Sequence, residues 1–259
     1  MKLIYWNTRK TNNQKAILEI LSENNPDIFF ISEVDNSLLN NFETNADDYE
    51  IFENPGCNRV KILKRKTLSL NLSIQNNYFT TVKNNNQQFI IGVHFPSQMY
   101  QSHDALKNYL RMFRNSIESE IGDSLDHDII IIGDFNISPF EKPMIDFDGF
   151  SATNSIFSRK KVTHLQQTKS LYYNPTWKLY NRIHFPGTMF YARPSTTSFD
   201  ILEHHLLDQV VISPRLATKL KDEQVKIIEK TSSQTFLNSE SLKTEISDHL
   251  PLYYEFKTN

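Results

Sequence analysis

The chain has 259 residues, 39% of them hydrophobic and 22% charged, enough to close a large core in one globular unit spanning residues 1–259. A formal net charge of −2 excludes a protein that coats nucleic acid by bulk positive charge, while leaving room for a local basic groove. The single cysteine, Cys57, excludes an intrachain disulfide and a cysteine-built zinc site, and reads as a small buried apolar residue in a reducing compartment.

In chain order, the first expected strand is Lys2–Trp6. Its apolar stretch is too short for a signal-peptide core, and no apolar run reaches the roughly 20 residues of a spanning helix, so the expectation is a soluble, cytoplasmic protein. Lys15–Glu23 carries Ile17, Leu18, Ile20 and Leu21 and stops before Pro26, which predicts an amphipathic helix. Asp27–Ile31 is the next strand. The run Lys61-Ile-Leu-Lys-Arg-Lys66 reads as a solvated face or, alternatively, as a contact for a nucleic-acid backbone. Asn76-Asn77 and Asn84-Asn85-Asn86 mark hairpin turns, because asparagine tolerates left-handed backbone angles.

A strand over Ile90–Phe95 precedes a second helix, Asp104–Glu120, in which Leu106, Leu110, Phe113 and Ile117 share one face. Asp128–Ile132 is apolar after its first residue, as a central strand covered on both faces should be. Residues 150–200 form the longest stretch without a clear pattern. Strands at Leu206–Ile212 and Pro251–Phe256 complete the set. Strands interleaved with helices predict an α/β or α+β sandwich. Only six glycines occur, and none sits in a GxGxxG or GxxxxGK[ST] cradle.

Polar residues with chemical potential fall at the ends of these strands. Gly133-Asp134-Phe135-Asn136 follows the central strand, where a carboxylate can accept a proton and an amide can orient an anion. The competing reading is a turn whose Gly, Asp and Asn meet backbone demands only. Ser247-Asp248-His249 precedes the last strand and offers a hard oxygen ligand beside an imidazole. Asp208, inside an apolar strand, needs a partner to offset its desolvation, and His249 is the candidate. Asn7 and Glu33 end two more strands and could gather with Asp248 around a metal; such oxygen ligands favour Mg²⁺, with Mn²⁺ as a substitute. His94 could donate to a phosphate oxygen or leaving group.

Together, Asn7, Glu33, His94 in Val93-His-Phe-Pro-Ser97, GDFN at 133–136, Asp208 in Leu206-Leu-Asp-Gln-Val-Val211 and SDH at 247–249 resemble the endonuclease/exonuclease/phosphatase superfamily, over residues 3–256. The resemblance implies a DNase I-like fold, a four-layer sandwich of two mixed β-sheets flanked by helices. It further implies Glu33, Asn7 and Asp248 as metal ligands, Asp134 as the group that positions or deprotonates water, and Asn136 at the phosphate. Asp208 would orient His249, and His94 would assist at the phosphate. Ser32 stands where the family often has Gln, and Gln209 where it often has Tyr, changes that bear on the subfamily.

The function this implies is Mg²⁺-dependent hydrolysis of a phosphodiester by in-line water attack, first as an intracellular nuclease favouring DNA. A phosphatase or phosphodiesterase acting on a phosphoinositide, lipid or small molecule is the second reading, and a non-catalytic binding module the third. No obligate protein partner is indicated. Substrate-contact candidates are Arg59, Tyr173, Trp177, Thr188 and Tyr191, with Arg159-Lys-Lys161 as a further basic run. The aromatic segment Leu171–Tyr180 could stack on unpaired bases or simply fill core beneath a loop.

Overall fold

A computed structural model describes residues 1–11, 13–35, 47–97, 102–156, 160–181, 187–190, 204–238 and 242–258. The first strands in chain order are β1 (Lys2–Asn7), β2 (Ile28–Ser32), β3 (Tyr49–Phe52) and β4 (Val60–Arg65). Next come β5 (Leu70–Asn76), β6 (Phe79–Asn84), β7 (Phe89–His94) and β8 (Ile129–Asp134). The short strands β9 (Ala152–Thr153), β10 (Lys161–His164), β11 (Gln167–Ser170), β12 (Tyr172–Tyr173), β13 (Met189–Phe190) and β14 (His204–His205) follow. β15 (Asp208–Ile212), β16 (Leu220–Ile227) and β17 (Leu252–Thr258) finish the series.

Six of these strands form one sheet in the order β16-β17-β1-β2-β4-β3, and seven form another in the order β5-β6-β7-β8-β15-β12-β9. Both sheets are mixed, because β1 runs parallel to β2 and β7 parallel to β8 while their other large pairings are antiparallel. The expected central strand is β8, fourth of seven. Its alternate residues divide between two cores. Ile130 and Ile132 join the cluster that includes the first sheet, whereas Ile129 and Ile131 join a second cluster with Leu106, Leu110, Phe113 and Ile117. That period-two split explains the unbroken apolar run in the sequence.

Helices α1 (Gln14–Asn24) and α2 (His103–Ile121) flank the sheets. α1 ends where Asn25 turns left-handed, at φ 52°, and donates its N–H to Leu21. α2 begins at Ser102, whose hydroxyl accepts the Ala105 N–H at 3.2 Å, and carries Asp104 in its first turn. Two short helices, α3 (Lys142–Ile145) and α4 (Pro214–Ala217), follow β8 and β15, and a 3₁₀ helix spans Pro175–Asn181. The asparagine turns are hairpins as expected: Asn76 Oδ1 accepts the N–H groups of Tyr78 and Phe79 between β5 and β6.

Two sequence expectations change. Lys61, Lys64 and Arg65 of the basic run belong to the interior strand β4, with Lys64 buried against Glu50 and Arg65 on the Pro26 carbonyl, and Lys66 alone follows it, exposed. Residues 150–181 hold the β10–β11 hairpin and two-residue strands, too short or too polar to show as apolar periodicity. Cys57 is fully buried and unpaired, as read. No helix among the described residues is long and apolar enough to cross a membrane.

The sheets meet closely at Gly92 of β7, where an added Cβ would lie 2.3 Å from the Phe30 ring of β2. Gly92→Ala should therefore cost about 1–3 kcal/mol, the range for overpacking a close-packed core. Urea denaturation measures this, and Phe30→Leu in the same chain should recover part of the loss. A wild-type midpoint for Gly92→Ala would show that the sheets can separate freely there.

Candidate active site

The ends of β1, β2, β7 and β8 and the start of β15 lie along one edge of the two sheets, and each delivers a polar side chain to it. Strand register does the positioning. On β8, Asp134 stands directly opposite His94 of the parallel neighbour β7 and Asp208 of the antiparallel neighbour β15. On the first sheet, Asn7 stands opposite Ser32, the residue before Glu33. Glu33 has a left-handed backbone, at φ 49°, which leaves the strand direction as β2 ends.

The residues between the two sheets are in contact. Asn7 Nδ2 donates to Glu33 Oε1 and to Asp134 Oδ2, each at 3.3 Å. His94 Nε2 lies 3.7 Å from Glu33 Oε1 and 3.8 Å from Asp134 Oδ2. His249 Nδ1 pairs with Asp208 Oδ2 at 2.8 Å, while its Nε2 faces Asp134 Oδ2 at 4.0 Å. Asp134, Asp208, His94 and His249 are all buried. Thus one face of each imidazole is turned to Asp134, and the expected Asp208–His249 pair is present.

The GDFN segment satisfies both readings of its sequence. Gly133 has φ +150°, and a Cβ there would fall 2.0 Å from the Val93 carbonyl oxygen, so the segment needs glycine for its backbone. Asn136 is left-handed at φ 54°, and its N–H caps Asp134 Oδ1 at 2.8 Å. Its side-chain amide gives one N–H to the Phe95 carbonyl at 2.8 Å, which leaves the other for an anion. The turn thereby aims the carboxylate and the amide.

His249 is held by its neighbours. Ser247 Oγ donates to the Asn7 carbonyl at 2.7 Å and accepts the His249 N–H at 3.0 Å, and the Trp6 indole donates to the His249 carbonyl at 2.9 Å. Burial alone would lower the imidazole's pKa, but Asp208, Asp134 and Asp248 outweigh it and carry the group to about 10. Burial raises the Asp208 carboxyl, against the pull of His249. In His94 the balance reverses: burial lowers it more than Asp134 and Glu33 raise it. At neutral pH the site therefore holds one charged and one neutral imidazole, with different roles open to them.

Asp248 reaches the same mouth, where its Oδ2 lies 3.5 Å from Arg9 Nε. Arg9 and Lys10 are consecutive left-handed residues at φ 50° and 57°, a strained turn fixed by the Lys10 N–H on the Glu33 carbonyl at 2.6 Å. Asn7 turns its Nδ2 to Glu33 and Asp134 while its Oδ1 accepts the Arg9 N–H at 3.1 Å, and the carboxylates of Glu33 and Asp248, 35% and 23% exposed, are the oxygens open to a hard cation that keeps several waters. One ligand atom each from Asp134, Asp208 and His249 also lies within 4.8 Å of the others. In that second group His249 Nδ1 is already bonded to Asp208 and the imidazole carries charge, so the oxygen set is the better cation site.

Of the substrate-contact candidates, two are corrected. Thr188 is fully buried, and its hydroxyl accepts the N–H groups of Leu207 and Asp208 at 3.0 Å each; it anchors the start of β15 rather than meeting substrate. Tyr173 is buried opposite Ile212, at the far end of β15 from Asp208, with its hydroxyl on Glu223. Arg59 stacks its guanidinium over Tyr78 at 4.8 Å and is near enough to His94 to oppose its protonation. Trp177, on the 3₁₀ helix, is partly exposed beside Tyr180. Tyr191 and Arg159 lie outside the described residues.

Sequence reasoning did not single out the buried amide pair behind the loop. Asn174 Nδ2 donates to Gln209 Oε1 at 2.7 Å, and Gln209 Nε2 donates to the Ile137 carbonyl just past Asn136. The only signal was Gln209 following Asp208 in an apolar strand.

Two mixed sheets flanked by helices, with carboxylates, amides and paired imidazoles at their shared edge, define a DNase I-like phosphoesterase. The sequence model of the Endonuclease/Exonuclease/phosphatase family matches residues 4–249, and the chain belongs to that family. No curated protein matches the sequence. Among solved structures, the fold is similar to D. rerio TDP2 complexed with single-strand DNA product, at 16% identity and TM-score 0.62, over 100% of this chain and 99% of that one. It is similar to an AP endonuclease from Archaeoglobus fulgidus, at 16% identity and TM-score 0.61, over 100% of both chains. A mannosyl-6-phosphatase from Bacteroides thetaiotaomicron matches at 12% identity and TM-score 0.61, over 99% of both chains.

Because the folded His249 pKa is raised, its charged form is stabilised fully below the ordinary value of 6.5, and that contribution is lost as pH rises towards about 10. Asp208→Asn removes the leading raising influence and leaves burial to dominate. The imidazole should then lose its proton at least about one pH unit lower. NMR titration of the His249 ring reads this directly, and the alkaline limb of a pH–rate profile should move with it. An unmoved titration would break the pairing.

Proposed function

We propose that this chain is a divalent-cation-dependent phosphodiesterase acting as a nuclease on DNA, with Mg²⁺ as the cation and Mn²⁺ as its substitute. The observation that carries the reading is the placement of Asp134 within 4.0 Å of both imidazoles and within hydrogen-bond reach of Asn7. In-line hydrolysis needs a base for water, charge against the phosphoryl oxygens and a stabilised leaving oxygen. One edge of the fold offers a candidate for each.

In this reading Glu33, Asn7 and Asp248 hold the cation, whose charge would offset that of the phosphoryl oxygens. Asp134 takes the proton of the attacking water. A protonated His249 is unsuited to that task at neutral pH and serves instead as a donor to a phosphoryl oxygen, oriented by Asp208. Neutral His94 and the second amide N–H of Asn136 contact the phosphate. The whole chain then works as one catalytic domain, and the free Cys57 suits a reducing, cytoplasmic setting.

A phosphatase reading keeps the same residues and differs only in what surrounds them. The similarity to a mannosyl-6-phosphatase supports it, and the similarity to a structure holding single-strand DNA product supports the nuclease. Substrate choice is made by loops around a shared centre, so a panel decides it.

The panel comprises supercoiled, linear, single-stranded and abasic DNA, RNA, phosphoinositides, mannose 6-phosphate and a generic phosphodiester, with Mg²⁺ and then EDTA. Phosphodiester cleavage abolished by EDTA is expected. Asp134→Asn and His249→Ala should each lower turnover by at least about 10²-fold. Wild-type turnover in both variants would sink the site. Release of inorganic phosphate alone, insensitive to salt between low and moderate concentrations, would reject the nuclease in favour of the phosphatase.

A further inference from the structure

The loop that carries Asp134 and Asn136 continues to Phe140, whose ring is 41% exposed. Phe140 lies 6.0 Å, centroid to centroid, from Tyr180, which is 36% exposed, and Tyr180 lies 5.9 Å from Trp177. These three rings form a partly exposed aromatic row outside the catalytic edge. Apolar rings on a surface are ordinarily scattered singly; a contiguous row beside a reaction centre calls for a partner.

The row is fixed to the elements that carry the chemistry. Tyr180's hydroxyl hydrogen-bonds the Ser138 side chain, two residues past Asn136. The Ser138 N–H is held by Glu141 Oε1 at 2.8 Å, which shapes the turn that presents Phe140. On the other side, Thr176 Oγ1 accepts the Val210 N–H at 2.9 Å, and Asn174 reaches Gln209, so the Pro175–Asn181 helix is tied to the strand bearing Asp208. Four residues of extended chain keep the Phe140 Cα within about 14 Å of that of Asn136.

We propose that Phe140, Tyr180 and Trp177 are a stacking platform for unpaired bases of a single-stranded nucleic acid whose neighbouring phosphate enters the Asp134 centre; the assignment rests on the phosphodiesterase reading above. The chemistry favours a base over a sugar or a lipid. A sugar needs free polar groups around the ring to meet its hydroxyls; among the described residues at this rim Tyr180 is engaged with Ser138, Glu141 with the Ser138 N–H and Lys178 with Glu223 at 2.5 Å, and the unpartnered Trp177 indole N–H is buried out of reach. A lipid chain needs an enclosed apolar groove, whereas these rings are tilted by 53° and 59° to one another in an open row. Open π faces accept any base, so the platform should bind without strong sequence preference.

Trp177 supplies its own probe, because the only other tryptophan, Trp6, is fully buried. In EDTA, without turnover, a short oligothymidylate should quench the indole fluorescence saturably, and Trp177→Phe should abolish the signal. Phe140→Ala and Tyr180→Ala should each weaken binding by about 5- to 150-fold, the loss of one stacked base. Tyr180→Phe keeps the ring and should bind like wild type. With Mg²⁺, the alanine variants should raise KM for single-stranded DNA by a larger factor than KM for a generic aryl phosphodiester. Undiminished oligothymidylate binding in both alanine variants would overturn the platform, as would quenching by mannose 6-phosphate at equal concentration. Ring-dependent binding in a protein that cleaves no phosphodiester would keep the platform and reject the hydrolase. Cleavage of the aryl diester without ring-dependent binding would do the reverse.

Discussion

Two carboxylates, Asp134 and Asp208, face each other across adjacent strands in a dry part of the molecule. Like charges directly opposite in a sheet repel, and burial makes Asp208 costlier to keep ionised. The His249 imidazole, bonded to one and facing the other, is what reconciles them. Because it arrives from the far end of the sequence, this polar edge depends on the terminal strands meeting. β17 sits between β16 and β1, and Ser247 and Trp6 then clamp the His249 backbone.

Around that pair the architecture works by register rather than by local motif. A row of residues across β7, β8 and β15 sets His94, Asp134 and Asp208 side by side, and a second row across β1 and β2 brings Asn7 and Ser32 level. The close approach of the sheets at Gly92 and Phe30 sets one row against the other. Left-handed residues at Glu33 and Asn136 then bend the chain out of the strands at the edge. Each such residue costs backbone energy that the surrounding hydrogen bonds offset, and their concentration here follows from the need to turn side chains sideways.

Much of this could be read from the sequence because strand ends are marked by an abrupt change of polarity. Leu3-Ile-Tyr-Trp6 gives way to Asn7, Ile28-Phe-Phe-Ile31 to Ser32 and Glu33, and the isoleucines of β8 to Gly133 and Asp134. What escaped reading depends on pairings that periodicity does not encode. Thr188 reads as a substrate contact and instead anchors two backbone N–H groups at the head of β15, some 20 positions along the chain. Asn174 and Gln209 are ordinary amides until the fold buries them together behind Ile137. Lys64 sat in a conspicuous basic run, yet strand alternation turned it inward to Glu50. Tyr173 was grouped with Trp177 by closeness in sequence, but a strand end separates them, and only Trp177 joins the exposed row.

The contact between Asn7 and the Ser247 hydroxyl spans 240 positions. A centre so assembled has no local nucleus, since loops of that length close late and at large entropic cost. Because β17 lies between β16 and β1 and puts Leu252, Tyr254 and Phe256 into the first core, losing that strand would withdraw the imidazole and open that core together. The setting of the His249 ring is accordingly tied to the first sheet as a whole, and on heating the Asp208–His249 pair should be lost together with that sheet rather than ahead of it.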